Sequence, residues 1–207
     1  MNGFSRIAED EVLGTWLFTV GRATCADPDG GQFERYIVHH PGAVAVVPVD
    51  DDGWVTLVRQ LRPAVWDDVL EIPAGTRDVD GEDLDETARR ELAEEAGWQA
   101  DRLQRLVSTY NSPGFSDQVT TIFLATKLTP CATDRRGEEE RWMTVERVHL
   151  TDVDSLVAGG RIMDQTTLLG LYMARSVLSH IPGRVGSGPG VEPGVEPGVG
   201  ELPAARQ

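Results

Sequence analysis

Runs rich in Val, Ile, Thr and aromatic residues, bounded by Gly, Pro or Asp, recur at 15–20, 35–39, 43–49, 55–60, 106–110, 119–124 and 143–150. Short runs of this kind predict β-strands. Two segments follow a different period. Residues 83–96 open on an Asp-x-x-Glu cap signal, Asp83 to Glu86, and stop at Gly97, while 165–179 carries apolar side chains at Leu168, Leu171, Met173 and Leu178. Both read as helices. The expected fold is therefore an α/β or α+β layer architecture, a mostly antiparallel or mixed sheet with one central and one C-terminal helix. The runs before Ala43 predict a small separate sheet, which sets 1–41 apart from a main domain at 42–181. From Pro182 the composition turns to Gly, Val, Pro and Glu, and Val-Glu-Pro-Gly at 191–194 repeats at 195–198. A disordered tail is expected over 182–207.

The chain has 207 residues, 40% of them hydrophobic, enough for one buried core. Nineteen basic against 34 acidic residues give a net charge of -15, which argues against a nucleic-acid or anionic-membrane partner. The basic pairs Arg89-Arg90 and Arg135-Arg136 each lie within a few residues of several glutamates. An acidic protein can still bind a phosphorylated ligand if a cation stands between the carboxylates and the phosphates. Cys25 and Cys131 lie far apart in no metal-type spacing, so reduced thiols are expected. His39, His40, His149 and His180 likewise show no ligand spacing. Residues 1–13 lack an apolar signal core and no run reaches membrane-span length, so the expected location is the cytoplasm.

The helix at 83–96 departs from an ordinary solvated acidic face. At about 100° per residue from Leu84, the residues Ala88, Leu92 and Ala96 form a buried stripe. Glu91 and Glu95 fall within it or on its rim, with Glu86 and Arg90 on the opposite side. Glu91, Glu94 and Glu95 stand one turn apart, where like charges repel, and more so when desolvated. A hard divalent cation, Mg²⁺ or Mn²⁺, would relieve this, because such ions take carboxylate oxygens and keep waters and a substrate phosphate as other ligands. Arg90 is the alternative charge partner and can orient a glutamate without any metal.

These residues carry a resemblance. Gly75, Glu82 and Arg90-Glu91-Leu92-Ala93-Glu94-Glu95-Ala96-Gly97-Trp98 resemble the Nudix box, the signature of hydrolases that cleave a nucleoside diphosphate linked to another moiety. Glu82 to Arg90 has the family spacing, whereas Gly75 to Glu82 holds six intervening residues in place of five. The extra residue falls in the loop before the helix and leaves the helical carboxylates unmoved relative to one another. The resemblance implies an α/β/α sandwich around a mixed sheet over about 40–180. It also implies metal binding by Glu91 and Glu95, help from Glu94 in holding a further metal ion, the backbone carbonyl of Ala74 to complete the ligand set, and Arg90 as orienter of the glutamates.

Outside the box the chain is similar to the ADP-ribose pyrophosphatase branch of that family. Pro113 lies sixteen residues beyond Gly97, and Ser112-Pro113-Gly114-Phe115-Ser116-Asp117 is similar to the branch's Pro-Gly-Phe-Ser-Asp loop. The same segment has an ordinary reading as a turn leading into the strand at 119. Arg35 and Arg62 resemble the branch's substrate-contacting arginines, residues able to stack on a base or fork onto a phosphate. Glu71, Pro113, Gly114 and Phe115 are further substrate-side candidates. The branch implies hydrolysis of ADP-ribose to AMP and ribose 5-phosphate, with a homodimer exchanging its N-terminal strands. Other nucleoside diphosphate derivatives, or a non-catalytic ADP-ribose sensor, are the alternative readings. The acidic run Glu138-Glu139-Glu140 resembles the loop that carries the catalytic base. Aligning 143–145 on the branch's following strand assigns the base to Glu140, with Glu139 as the neighbouring alternative.

Overall fold

The computed structural model describes residues 3–180, so the tail expected over 182–207 lies outside the described residues. Ten strands and three α-helices are present among them. The strands are β1 (Ser5–Gly14), β2 (Thr19–Ala26), β3 (Gln32–His39), β4 (Ala43–Pro48), β5 (Trp54–Arg62), β6 (Asp67–Glu71), β7 (Ala74–Thr76), β8 (Trp98–Tyr110), β9 (Val119–Pro130) and β10 (Thr144–His149). The helices are α1 (Leu84–Ala96), α2 (Val153–Ala158) and α3 (Gln165–Ser179). Three sheets form, ordered β1-β2-β3, β10-β5-β6 and β7-β4-β9-β8. The last is mixed, because β4 runs parallel to β9 while its other pairings are antiparallel.

Residues of β4 and β9 are apolar on both sides, and the structure explains why. Val44, Val46, Phe123 and Ala125 pack with Ala88 and Leu92 of α1 in one cluster. Their neighbours in sequence, Ala45, Val47, Ile122 and Leu124, pack with Leu171, Ala174 and Leu178 of α3 in the other. Strands covered on both faces lose the alternation of a half-buried sheet and read as continuous apolar runs. The result is the expected helix-on-sheet-on-helix layering around a mixed sheet. α3 approaches closely at Gly170, where an added Cβ would lie 3.0 Å from Ile72 and Val47 side-chain carbons.

α1 begins and ends as its sequence signals demand. Asp83 accepts hydrogen bonds from the backbone N–H groups of Asp85 and Glu86 at 2.9 and 3.0 Å. Gly97 closes the helix at φ 72°, a left-handed conformation in which a side chain is strained. The runs before Ala43 do form their own sheet, with a difference in extent. Residues 15–18 are a turn held by the Thr15 hydroxyl, and β1 is a strand the pattern does not predict. β8 also begins at Trp98, eight residues ahead of the run at 106. Among the described residues no helix is long and apolar enough to cross a membrane.

Candidate active site

The carboxylates of α1 meet β7. Glu95 is 4% exposed, and its carboxylate accepts the Ala74 N–H at 2.9 Å. Glu91 is 8% exposed and lies against Gly75, where an added Cβ would fall 2.0 Å from the Glu91 carboxyl carbon. Any side chain at the motif glycine would therefore displace the Glu91 carboxylate. Ala74 itself is fixed from both sides, since Pro73 C=O accepts from Val46 N–H at 2.8 Å and Ile72 N–H donates to the Thr167 hydroxyl at 3.0 Å.

Arg90 lies half-buried beneath this cluster, although the helical wheel sets it opposite the buried stripe. Its length lets the guanidinium bend back. It donates to both Glu82 carboxylate oxygens at 3.2 Å, to Glu91 at 2.7 Å and to Glu94 at 3.2 Å, and Asp78 stands 3.5 Å away. The fork geometry lets one cation serve several carboxylates. Hydrogen bonding to Arg90 holds Glu82 below the usual carboxylate range. Glu91 and Glu95 are not compensated to that degree. Burial, with the charge of Glu94, pushes Glu91 up to about 7 against the pull of Arg90. Burial, with the charges of Glu91 and Glu140, pushes Glu95 up to about 8 against the Ala74 hydrogen bond.

Two desolvated carboxylates short of positive charge, with Glu94 one turn away and a backbone segment bound alongside, form a hard oxygen donor set that fits a divalent cation. Among the described residues, no three or more His, Cys, Asp or Glu side chains are grouped so as to hold a metal ion by themselves. An open bed of carboxylates is what Mg²⁺ tolerates, because it takes one or two carboxylates and fills its remaining positions with water and phosphate.

A cavity of about 980 Å³ abuts the same segment, lined by Ala74, Gly75 and Thr76 at one side and by Arg59, Asn111 and Thr166 elsewhere. Arg62 and Glu71 both line it and are joined to each other, Arg62 Nη2 donating to Glu71 Oε2 at 2.6 Å and Nε to Oε1 at 2.9 Å. A carboxylate that pins the guanidinium fixes the plane it offers to a ligand. Arg35 stands elsewhere, on β3, stacked over the Phe33 ring at 4.6 Å and donating to Glu34 C=O. Pro113, Gly114 and Phe115 are exposed in the loop between β8 and β9 and do not line the cavity, whereas Asn111 and Gln118 on either side of them do. Val38 N–H ties that loop to β3 through Phe115 C=O at 2.8 Å.

Glu140 opens a 3₁₀ turn, Glu140–Trp142, and its carboxylate accepts from the backbone N–H groups of Arg136 and Gly137, both at 2.9 Å. Glu139 is exposed. Two structurally important side chains escape the sequence reading. Thr167 reaches across from α3 to the Ile72 amide, and Arg135 donates to the backbone carbonyls of both Glu95 and Met143. The signal for Arg135 is indirect, since the last turn of α1 has no basic residue to meet its terminal carbonyls.

The family model of the NUDIX domain matches residues 39–159. The chain is 39% identical over 140 residues to the ADP-ribose pyrophosphatase of Bacillus subtilis (strain 168), covering 68% of this chain and 75% of that protein. It is 34% identical over 174 residues to the ADP-ribose pyrophosphatase of Mycobacterium tuberculosis (strain ATCC 25618 / H37Rv), covering 84% of each. The crystal structure of an ADP compounds hydrolase superposes with a TM-score of 0.76 at 24% identity, covering 88% of this chain and 97% of that one, a likeness of fold.

Proposed function

The chain belongs to the Nudix family, and from that premise we propose that it hydrolyses ADP-ribose to AMP and ribose 5-phosphate with Mg²⁺, or Mn²⁺, as the metal. The observation that carries the reading is the bed of under-compensated carboxylates, Glu91 and Glu95, packed against the segment that lines one side of a 980 Å³ cavity. The names of the two similar pyrophosphatases support the choice of ADP-ribose.

In this reading Glu91, Glu95 and the Ala74 carbonyl hold the metal, and Glu94 helps to hold a further ion. When bound, the ion supplies neutralisation of the pyrophosphate charge and lowers the barrier to attack by water. Arg90 keeps Glu91 and Glu94 aimed while they are desolvated. Arg62, fixed by Glu71, offers a guanidinium face or edge to the nucleotide. The base comes from the loop at 136–143. Glu140 rests its carboxylate Oε2 on two amides of its own loop, which leaves Oε1 as the oxygen to take a proton from water, while Glu139 is exposed. Arg35, remote from the cavity of its own chain, fits a homodimer in which the N-terminal sheet of a second copy completes the site.

The test is product release from ADP-ribose, other ADP-sugars, UDP-sugars, NADH and dNTPs, each with Mg²⁺ and with Mn²⁺. ADP-ribose is expected to be the best substrate, and strong turnover of another member without ADP-ribose cleavage overturns the assignment. Glu140→Gln is expected to lower kcat by about two orders of magnitude or more, within the range of general-base contributions. If Glu139→Gln does so while Glu140→Gln is silent, the base is the neighbour.

A further inference from the structure

The C-terminal carbonyls of α1 carry partial negative charge beside three glutamates, and the last turn of the helix offers no basic residue to meet it. The donors come from the segment that follows β9. Cys131 N–H donates to Gly97 C=O at 2.9 Å and Asp134 N–H to Glu94 C=O at 3.1 Å. Arg135 then places Nε and Nη2 on the Glu95 C=O at 3.1 and 2.7 Å. Its remaining arm, Nη1, donates to Met143 C=O at 2.7 Å.

That second carbonyl does nothing for the helix. Met143 follows the 3₁₀ turn Glu140–Trp142, and its own N–H returns to Glu140 C=O at 3.1 Å. One half-buried guanidinium therefore joins the start of the loop, its end and the backbone of Glu95. Inside the clamp the loop is closed on itself, with Arg141 N–H on Gly137 C=O at 3.2 Å and Trp142 N–H on Glu139 C=O at 3.1 Å. The planar fork suits this task because it can serve two carbonyls at once from fixed directions, which a single ammonium on a flexible stem does poorly.

We propose that Arg135 is a positioning residue for hydrolysis: by clamping Glu95 and Met143 together it holds the loop bearing Glu139 and Glu140 at a set height over the α1 carboxylates. The inference rests on the reading of that loop as the source of the base. Arg135→Met keeps the stem and removes the fork, and Arg135→Lys keeps the charge.

Steady-state kinetics of the full chain with Mg²⁺ and ADP-ribose, alongside hydrogen exchange of the metal-free protein, separate the possibilities. For Arg135→Met, kcat is expected to fall about 10–100-fold, the usual cost of losing a group that orients ligands from behind. KM should stay within about threefold, because groups that bind substrate are untouched. Exchange should quicken over 131–143 and stay unchanged over 84–93, and Arg135→Lys should recover part of kcat. Full kcat in Arg135→Met overturns the proposal whatever the exchange shows. So does faster exchange along the whole of α1, which would make Arg135 a helix cap only. If wild-type protein cleaves nothing in the substrate panel, the hydrolase reading fails and the positioning role falls with it. If Arg135→Met is slow while Glu139→Gln and Glu140→Gln both keep full kcat, the loop does not supply the base and the positioning proposal fails with that reading, whereas a slow Glu140→Gln beside full kcat in Arg135→Met overturns the proposal alone.

Discussion

At the scale of single residues the site is governed by one cation and the carboxylates that surround it. Arg90 bonds to Glu82, Glu91 and Glu94, so removing it leaves buried negative charge with no partner close by. Arg90→Ala is expected to destabilise the metal-free protein by about 1–3 kcal/mol, the range for orphaning charged groups that keep some solvent contact. Urea unfolding with and without Mg²⁺ checks this, and the loss should shrink when the metal is present. A wild-type midpoint without metal would refute it. Glu95 predicts the opposite sign. Its charge is raised in cost by burial and by Glu91 and Glu140, so Glu95→Gln, which still accepts the Ala74 N–H, should stabilise the metal-free fold by roughly 1 kcal/mol at pH 8. The same variant should lose turnover by about 10-fold or more if the carboxylate is a ligand. A Gln variant both less stable and fully active would contradict both halves.

Elements set where those residues meet, and here Thr167 on α3 is decisive. It is fully buried, donates to Asp164 at 2.7 Å and accepts the Ile72 amide at 3.0 Å, which fastens the segment before Ala74 to the helix. Thr167→Val keeps the shape and leaves that amide unpaired, at a cost of about 1–3 kcal/mol. A denaturation midpoint equal to wild type would show that the bond contributes nothing. Elements with local signals were legible in the chain: α1 carries its Asp83 cap and Gly97 stop, α3 its apolar period, and β4 and β9 their continuous apolar runs. β1 was not, because Ser5–Gly14 is exposed on nearly every residue and so has no buried face to impress an alternation on its sequence. β8 was only half legible for the same reason, its first half exposing Gln99, Asp101, Arg102, Gln104 and Arg105. α2 is six residues long, too short to show a period. Within the site, the carboxylate spacing of α1 was readable because it is local. The parts supplied by distant segments, Thr167 and Arg135, were not, since neither lies in a pattern with the group it binds.

At the scale of the whole molecule, the N-terminal sheet meets the loop between β8 and β9 through backbone bonds, Val38 N–H donating to Phe115 C=O at 2.8 Å and Asp117 N–H to Val38 C=O at 3.2 Å. The N-terminal sheet exposes Phe4, Ile7, Val12, Leu13 and Trp16, which fits the proposed homodimer; light scattering at micromolar concentration should give twice the chain mass, and a monomer mass removes the idea. Beside these backbone bonds lies an ionic contact. His39 on β3 directs Nε2 to Glu9 on β1 and Nδ1 to Asp117 at 2.6 Å, and Asp117 also accepts the His40 N–H at 3.0 Å. Arg6 pairs with Glu9 at 2.6 Å, so the groups facing the imidazole are two carboxylates with one guanidinium behind them. A neutral ring can donate from only one nitrogen, and two carboxylates therefore favour the charged form. Hydrogen bonds to Asp117 and Glu9 raise the His39 pKa above its ordinary 6.5, while the bond to His39 lowers that of Glu9. The sign follows from linkage. The raised histidine contributes fully below 6.5 and loses its contribution as pH rises through its folded value. Glu9 contributes above 4.5 and fails only as pH falls through its own lowered value. The contact should thus be tightest between those two ordinary values and loosen on the alkaline side. Hydrogen exchange at the β1 and β2 amides, corrected for the intrinsic dependence on pH, is expected to be faster at about pH 9 than at about pH 6. His39→Gln should remove that difference, and a corrected rate independent of pH in the wild-type protein would show that the imidazolium does not help fasten the N-terminal sheet to the loop after β8.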